Sequence, residues 1–272
     1  MLKERGTVIL IKLVVSDIDG TLLKEGTNVV NPDLFKVIRK LKKRGIMFAA
    51  ASGRQYCSMR TLFKPVEDDM IFICENGAQV MCRKYTISIV PMDLQESKAL
   101  ILYIRDIPGC ELAISTKKYM YVESKDPEYI HMLTAGYEYA IKTVSDVTKI
   151  NEEILKVAIF KKEGAQSIEA RVRDRWSGKF NVLMSGKCWL DLMDYKTDKS
   201  YAVKSIQEYM HIKNSEIMAF GDNHNDIKML RLAGESYAMK KAGNDVKNAA
   251  KYIAPDSEDN GVLQTISNVI LD

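Results

Sequence analysis

The chain has 272 residues, 46% of them hydrophobic, which is enough for one large or two modest domains with a substantial core. Its 40 Lys and Arg against 36 Asp and Glu leave a net charge of +4 spread along the whole length. With no basic arm or run, nucleic acid is not an expected partner, and the opening apolar run from Val8 to Val15, broken by Lys12, is too short to span a membrane.

That run reads as a buried strand leading into Asp17-Ile18-Asp19-Gly20-Thr21. Asn31-Pro32 then supplies a helix cap with proline at the first helical position, and Leu34, Val37, Ile38 and Leu41 recur at helical spacing until Gly45. A second apolar run, Ile46 to Ala51, stops at Ser52-Gly53-Arg54, with a helix expected from Gln55 to Phe63. A third, Met70 to Cys74, stops at Glu75-Asn76-Gly77. Strands alternating with helices predict a parallel sheet.

The middle of the chain has a different rhythm. Apolar alternation in Glu111 to Ser115, Tyr119 to Glu123, Leu155 to Lys161 and Phe180 to Met184, with helical stretches around Leu100, Tyr129 and Ile168, predicts a smaller α+β unit with a half-exposed antiparallel sheet. After Lys196 the first rhythm returns: a helix at Tyr201 to Met210, a strand at Glu216 to Phe220, a helix at Asp226 to Ala233, and short strands at Tyr237 to Met239 and Tyr252 to Ala254 with a helix between them. The expected architecture is an α/β, Rossmann-like parallel-sheet core (residues 1–83 and 188–272) interrupted by an inserted α+β cap (residues 84–187).

Two acidic motifs carry the chemistry, Asp17-Ile18-Asp19-Gly20-Thr21 and Gly221-Asp222-Asn223-His224-Asn225-Asp226. Each follows a predicted strand and so falls at the carboxyl edge of the sheet, where open α/β folds bind ligands. Carboxylates gathered there repel one another unless a cation lies between them, and oxygen-only ligands suit Mg²⁺. Asp17 is a candidate nucleophile on phosphorus and Asp19 a candidate acid/base, with Ile18 pointing into the core between them. Gly20 permits a sharp turn, and Thr21 offers hydroxyl and amide donors to a phosphate. Ser52 and the Gly53 amide are candidate phosphate ligands, although Ser52 reads equally well as a helix cap. Asp222 is a candidate direct metal ligand, Asp226 a candidate to hold a metal-bound water or orient a neighbour, and Asn225 a donor to phosphate. Lys199, with Lys196 as a nearby competitor, can neutralise charge on the nucleophile. His131, His211 and His224 are scattered and form no zinc pattern, with His224 expected to face solvent. Cys57, Cys74, Cys82, Cys110 and Cys188 lack C-x-x-C spacing and read as reduced, buried thiols of a cytoplasmic protein.

On these motifs the chain resembles the haloacid dehalogenase superfamily of phosphohydrolases, in its Cof-type branch with a large type IIB cap. Glu75-Asn76-Gly77-Ala78, Ala242-Gly243-Asn244 and Asn260-Gly261-Val262 strengthen the likeness to that branch. The resemblance implies Asp17 as nucleophile, Asp19 as acid/base, Ser52 as phosphate ligand and Lys199, rather than Lys196, as the neutralising cation. It implies Mg²⁺ held by Asp17, the main-chain carbonyl of Asp19, Asp222 and Asp226. Two positions depart from the pattern: Ser200 stands where a glycine commonly follows the lysine, and Asp245 where an alanine commonly follows Asn244. The expected function is a Mg²⁺-dependent phosphatase of small phosphorylated metabolites, sugar phosphates or cofactors, acting as a monomer or homodimer. A sugar-phosphate mutase and a catalytically silent metabolite-binding protein are the alternatives. Substrate identity would sit in the cap, where Arg171, Arg173 and Lys187 are polar candidates with solvated surface as the simpler reading.

Overall fold

The computed structural model describes residues 2–4, 7–24 and 26–271, with the side chains of residues 2–4 and 7–9 outside that description. The opening apolar run does not form one strand. Leu2–Glu4 (β1) and Thr7–Ile9 (β2) make an antiparallel hairpin of their own, and the buried strand is the shorter Leu13–Asp17 (β3). Lys12 marks the break, its amide donating to the Glu216 carbonyl at 2.8 Å and its ammonium pairing with the Glu216 carboxylate.

Pro32–Lys43 (α1) forms for the reasons its sequence gives. The Asn31 side chain accepts from the Asp33 amide at 2.9 Å, Pro32 opens the first turn, and Leu34, Val37, Ile38 and Leu41 are buried. Met47–Ala51 (β4), Tyr56–Leu62 (α2) and Met70–Cys74 (β5) follow. Gln79–Cys82 (β6) and Tyr85–Ile89 (β7) then form a hairpin on the edge of the same sheet.

The cap comprises Leu94–Arg105 (α3), Cys110–Thr116 (β8), Met120–Val122 (β9), Pro127–His131 (α4), Ile141–Thr143 (β10), Ile154–Lys161 (β11), Gln166–Trp176 (α5), Phe180–Gly186 (β12) and Trp189–Asp194 (β13). The chain returns to the core as Lys199–Met210 (α6), Ile217–Gly221 (β14), Ile227–Leu232 (α7), Glu235–Met239 (β15), Asn244–Ala249 (α8), Tyr252–Ala254 (β16) and Gly261–Ile266 (α9).

The core sheet has the order β16-β15-β14-β3-β4-β5-β6-β7, parallel from β16 to β5 and antiparallel beyond. Both faces are covered. Val14, Phe48, Phe72 and Phe220 pack with α1, α2 and α9, while Leu13, Val15, Ala49 and Ala219 pack with α6, α7 and α8. This two-sided burial explains why the strands read as continuous apolar runs. The strand order reverses between β3 and β14, so the loops leaving their carboxyl ends splay apart and open a crevice.

The cap sheet has the order β10-β9-β8-β11-β13-β12, with α3 and α5 on one face through Leu100, Ile104, Ile168 and Val172. Its other face is not half-exposed as the alternation suggested. Lys156 and Ala158 of β11, and Trp189 and Asp191 of β13, look onto the core and line the cleft between the two units. Sheet membership also shifts both expected boundaries. Residues 85–89 are held by ladder bonds to β6 in the core, and residues 189–194 by ladder bonds to β11 and β12 in the cap, so the crossings fall at residues 90–93 and 195–198. Among the described residues no helix is long and apolar enough to cross a membrane.

Candidate active site

Asp17 is the last residue of β3, lying opposite Ala51 of β4, while β14 ends one strand away at Gly221. The residues after these three strands therefore meet at one edge. Asp17 is buried, and Ile18 turns away from it into the apolar core as expected. Gly20 takes a left-handed conformation, φ +88°, and a Cβ on it would lie 2.4 Å from Asp222 Oδ2, so the Asp222 carboxylate rests directly on the Gly20 backbone. Thr21 donates its hydroxyl to Asp222 Oδ1 at 2.6 Å. That hydroxyl serves the acidic loop and is not presented to a phosphate, a correction to the local reading of the motif.

Gly221 likewise leaves room for Asp226, whose Cβ would be 2.5 Å from a Cβ on the glycine. Asp226 Oδ2 accepts from the amides of Asp222 and Asn223, each at 3.0 Å, and Oδ1 accepts from Lys199 Nζ at 2.7 Å. Both of its oxygens are thus engaged in holding the loop and the lysine. Lys199 opens α6, capped by Asp198, whose side chain accepts from the Tyr201 amide at 2.8 Å. Its buried ammonium also donates to Asp17 Oδ1. Lys196, the competitor, is exposed beside the Tyr195 ring.

The electrostatics follow from this crowding. Burial raises the Asp17 carboxyl well above the usual range; Lys199 opposes the rise, and Asp226, Asp222 and Asp19 add to it. Burial also raises Asp222, against the pull of the Thr21 hydroxyl. Burial alone would lower the Lys199 ammonium, but Asp17 and Asp226 reverse this and hold it above the usual lysine range. Ligand oxygens of Asp17, Asp222 and Asp226 lie within 4.8 Å of one another, and Asp17 Oδ2 is buried with no hydrogen-bond donor among the described residues. One lysine facing three carboxylates leaves negative charge in excess, and an orphaned oxygen within an all-oxygen set fits a hard divalent cation. Asp19 does not join this group through its side chain. His224 is exposed and sits 2.6 Å from Asp245.

Asp19 is instead gripped by Arg54, whose Nε donates to Oδ2 at 3.0 Å and whose Nη2 donates to Oδ1 at 2.6 Å. This two-point fork fixes a planar carboxylate better than a lysine would. Arg54 is not among the residues singled out from sequence, although its place three residues past a buried strand, in Ser52-Gly53-Arg54, is the available signal. Ser52 does not cap α2, which begins at Tyr56. Its Oγ accepts from the Arg54 amide at 3.2 Å and approaches Asp19 Oδ2 at 3.4 Å, facing the cavity. Gly53 and Asn225 also line that cavity, with the Asn225 amide donating to Asn76 Oδ1 at 3.2 Å.

The cavity is about 360 Å³, within the range of small-molecule sites. Asp17, Asp19, Ser52 and Arg54 form its floor, and Tyr137, Tyr139, Trp189 and Met120 of the cap line it from the other side. Tyr137 and Tyr139 stack at 5.2 Å with 12° between their rings, and Trp189 meets Tyr137 edge-on at 6.2 Å. Asn28 of the core donates to the Gly136 carbonyl at 2.9 Å, bringing the tyrosine loop over the floor. Arg171, Arg173 and Lys187 do not line the cavity. Arg171 covers the Tyr103 ring and Arg173 pairs with Glu169.

Adding one methyl group tests this packing. Gly20→Ala is expected to push Asp222 from its seat and weaken the binding of a divalent cation by about 10- to 100-fold. A metal titration of activity measures it, and an unchanged midpoint would contradict the contact.

The haloacid dehalogenase-like hydrolase family matches residues 14–266. The chain is 26% identical to the 5-amino-6-(5-phospho-D-ribitylamino)uracil phosphatase YbjI of Escherichia coli (strain K12), over 96% of each protein. A crystal structure from Eubacterium rectale superposes with a TM-score of 0.88 at 31% identity, covering 96% of this chain and 99% of that one. The subclass IIB sugar phosphatase BT4131 shares the fold, with a TM-score of 0.80 at 23% identity over 94% of this chain and 98% of its own.

Proposed function

The chain belongs to the haloacid dehalogenase-like hydrolases and is a phosphatase, and from that premise we propose that it hydrolyses phosphate monoesters of small metabolites through an aspartyl-phosphate on Asp17, with Mg²⁺ as cofactor. The observation that carries the reading is the buried Asp17 carboxylate, held by Lys199 at one oxygen and, among the described residues, lacking a donor at the other, at the floor of the cleft between cap and core.

In this mechanism the Asp17 carboxylate attacks phosphorus and the bond from phosphorus to the ester oxygen breaks, with Asp19 giving that oxygen its proton. Asp19 then takes a proton from water, whose oxygen attacks phosphorus and releases phosphate, restoring the Asp17 carboxylate. Lys199 keeps one Asp17 oxygen in place and balances charge on the transferring group, while Arg54 fixes Asp19 beside it. Ser52 and the Gly53 loop supply donors to the phosphoryl oxygens. Mg²⁺, held by Asp17 and Asp222 with Asp226 orienting their loop, would offset the negative charge of phosphate and nucleophile.

The cap side of the cavity supports a leaving group carrying a planar ring, because Tyr137 and Trp189 offer it aromatic surface, with Ser185 and Asp191 on the same side for its polar groups. YbjI is named for an aminouracil sugar phosphate, a substrate of that chemical kind. The five cysteines are unpaired, Cys74 buried and the other four half-buried, which suits a reducing compartment and our placing of the protein in the cytoplasm.

Phosphate release from a panel of aliphatic and ring-bearing phosphate esters, with Mg²⁺ and with chelator, tests the reading. Release is expected to stop with chelator, return on adding Mg²⁺ and favour ring-bearing esters. Release that survives full chelation would overturn the metal assignment.

A further inference from the structure

A second ion cluster lies outside the catalytic one, and it joins the cap to the core. Lys156 of β11 is 3% exposed, and its Nζ donates to the Gly53 carbonyl at 2.8 Å. The same ammonium lies 2.7 Å from Glu75 of the core and 3.4 Å from Asp191 of the cap, both carboxylates buried. Asn76 extends the cluster, donating to Asp191 Oδ2 at 3.3 Å while accepting from Asn225. Burial alone would lower the Lys156 ammonium; Asp191 and Glu75 reverse this and hold it above the usual lysine range. Burial raises Glu75 even against the pull of Lys156, as expected where two carboxylates share one cation.

The backbone around this cluster is strained. Glu75 and Asn76 both adopt left-handed conformations, at φ +51° and +52°, and Gly77 follows at φ +107°, where a Cβ would lie 2.3 Å from the Asp198 carbonyl. Non-glycine residues hold such angles only when their surroundings fix them. Here the fixing bonds run to the phosphate-binding loop: the Glu75 amide donates to the Arg54 carbonyl at 3.1 Å and the Asn76 amide to the Ser52 carbonyl at 2.9 Å.

One peptide plane connects the cap lysine to the catalytic floor. In a trans peptide the carbonyl and the following amide point in opposite directions. Lys156 grips the Gly53 carbonyl on one side, and the Arg54 amide of that same unit donates to Ser52 Oγ at 3.2 Å on the other. We propose that Lys156 is a positioning residue that couples the seated cap to the phosphate-binding loop, orienting the Gly53–Arg54 peptide and through it the Ser52 hydroxyl. The cap then completes the phosphate site only when it is closed. If it lifts, Lys156 keeps Asp191 on its own strand pair but leaves the Gly53 carbonyl and Glu75 behind.

This inference rests on the phosphatase reading, because the loop it positions is the one assigned to phosphate. Inorganic phosphate, tested as an inhibitor and as a ligand in the presence of Mg²⁺, probes the site without needing turnover. Lys156→Met is expected to weaken phosphate binding and raise KM by about 10- to 100-fold, with a smaller change in kcat, and to speed hydrogen exchange at the Arg54 amide. Because that variant strands two buried carboxylates, the companion is Lys156→Met with Glu75→Gln and Asp191→Asn, which removes all three charges together. Phosphate binding that stays weak in the neutral triple variant supports the positioning role. Native affinity in either variant would overturn it, reducing Lys156 to a counter-ion. Failure of the native protein to bind phosphate would count instead against the phosphatase reading.

Discussion

Asp17→Asn is expected to lower kcat by at least about 10⁴-fold while leaving the protein folded, because an amide cannot form the acyl phosphate and Asp226, the other carboxylate on Lys199, is already tied to the amides of its own loop. The effect on stability has the opposite sign from most buried substitutions. The Asp17 carboxyl is raised by burial, so the folded state binds its proton more tightly than the unfolded state does. Above the ordinary carboxylate range the ionised group therefore costs stability, and that cost grows as pH rises through the raised value. An uncharged asparagine removes it, while Lys199 retains Asp226 as a partner. In chelator at neutral pH the melting temperature of the variant is thus expected to equal or exceed that of the native protein. Steady-state phosphate release and thermal unfolding measure the two quantities. Substantial turnover by the variant, or a clear loss of stability, would each contradict the account.

Lys199→Met acts on both counts in the same direction. The lysine side chain is fully buried between Asp17 and Asp226, and removing it leaves two carboxylates facing each other without a cation. Breaking a buried pair in this way costs roughly 3–5 kcal/mol, a large share of the stability of a typical domain. The raised ammonium contributes its stability fully below the ordinary lysine range and loses it only at higher pH, so the deficit is present across neutral conditions. Urea unfolding in chelator is expected to show it, together with a loss of kcat of about 100-fold or more from the missing charge at the nucleophile. A variant as stable as the native protein would show that the pair is not formed.

The sequence was most legible where one short segment contains both the signal and its consequence. Asn31-Pro32 with its apolar spacing dictated α1, and the apolar runs ending in Asp17, Ser52 and Gly221 placed three loops at one sheet edge because parallel strands are buried on both faces. Contacts across long separations were not legible. Thr21 offered a hydroxyl, but nothing nearby in the chain shows that Asp222, 201 residues away, takes it. The first strand begins later than the pattern suggests because Val8 to Val15 is apolar on both sides of Lys12, yet Lys12 lies between the β1–β2 hairpin and β3 and belongs to neither ladder. In the cap, Lys156 reads as a solvent-facing residue of an alternating strand; that face is covered by the core, a fact of tertiary packing and not of pattern. Trp189–Asp194 was missed because both of its faces are in contact, leaving no polar side to mark a strand.

The central claim is a covalent intermediate on Asp17, and it is tested most directly in Asp19→Asn with a chromogenic phosphate ester whose leaving group is acidic. Such a leaving group departs without a proton from Asp19, whereas attack by water on the intermediate still needs a base. The account predicts a burst of one leaving group per enzyme, slow phosphate release thereafter, and a phosphoryl group recovered by peptide mass spectrometry on the segment carrying Asp17. Leaving group and phosphate released in step, with no burst and no modified Asp17, would contradict it.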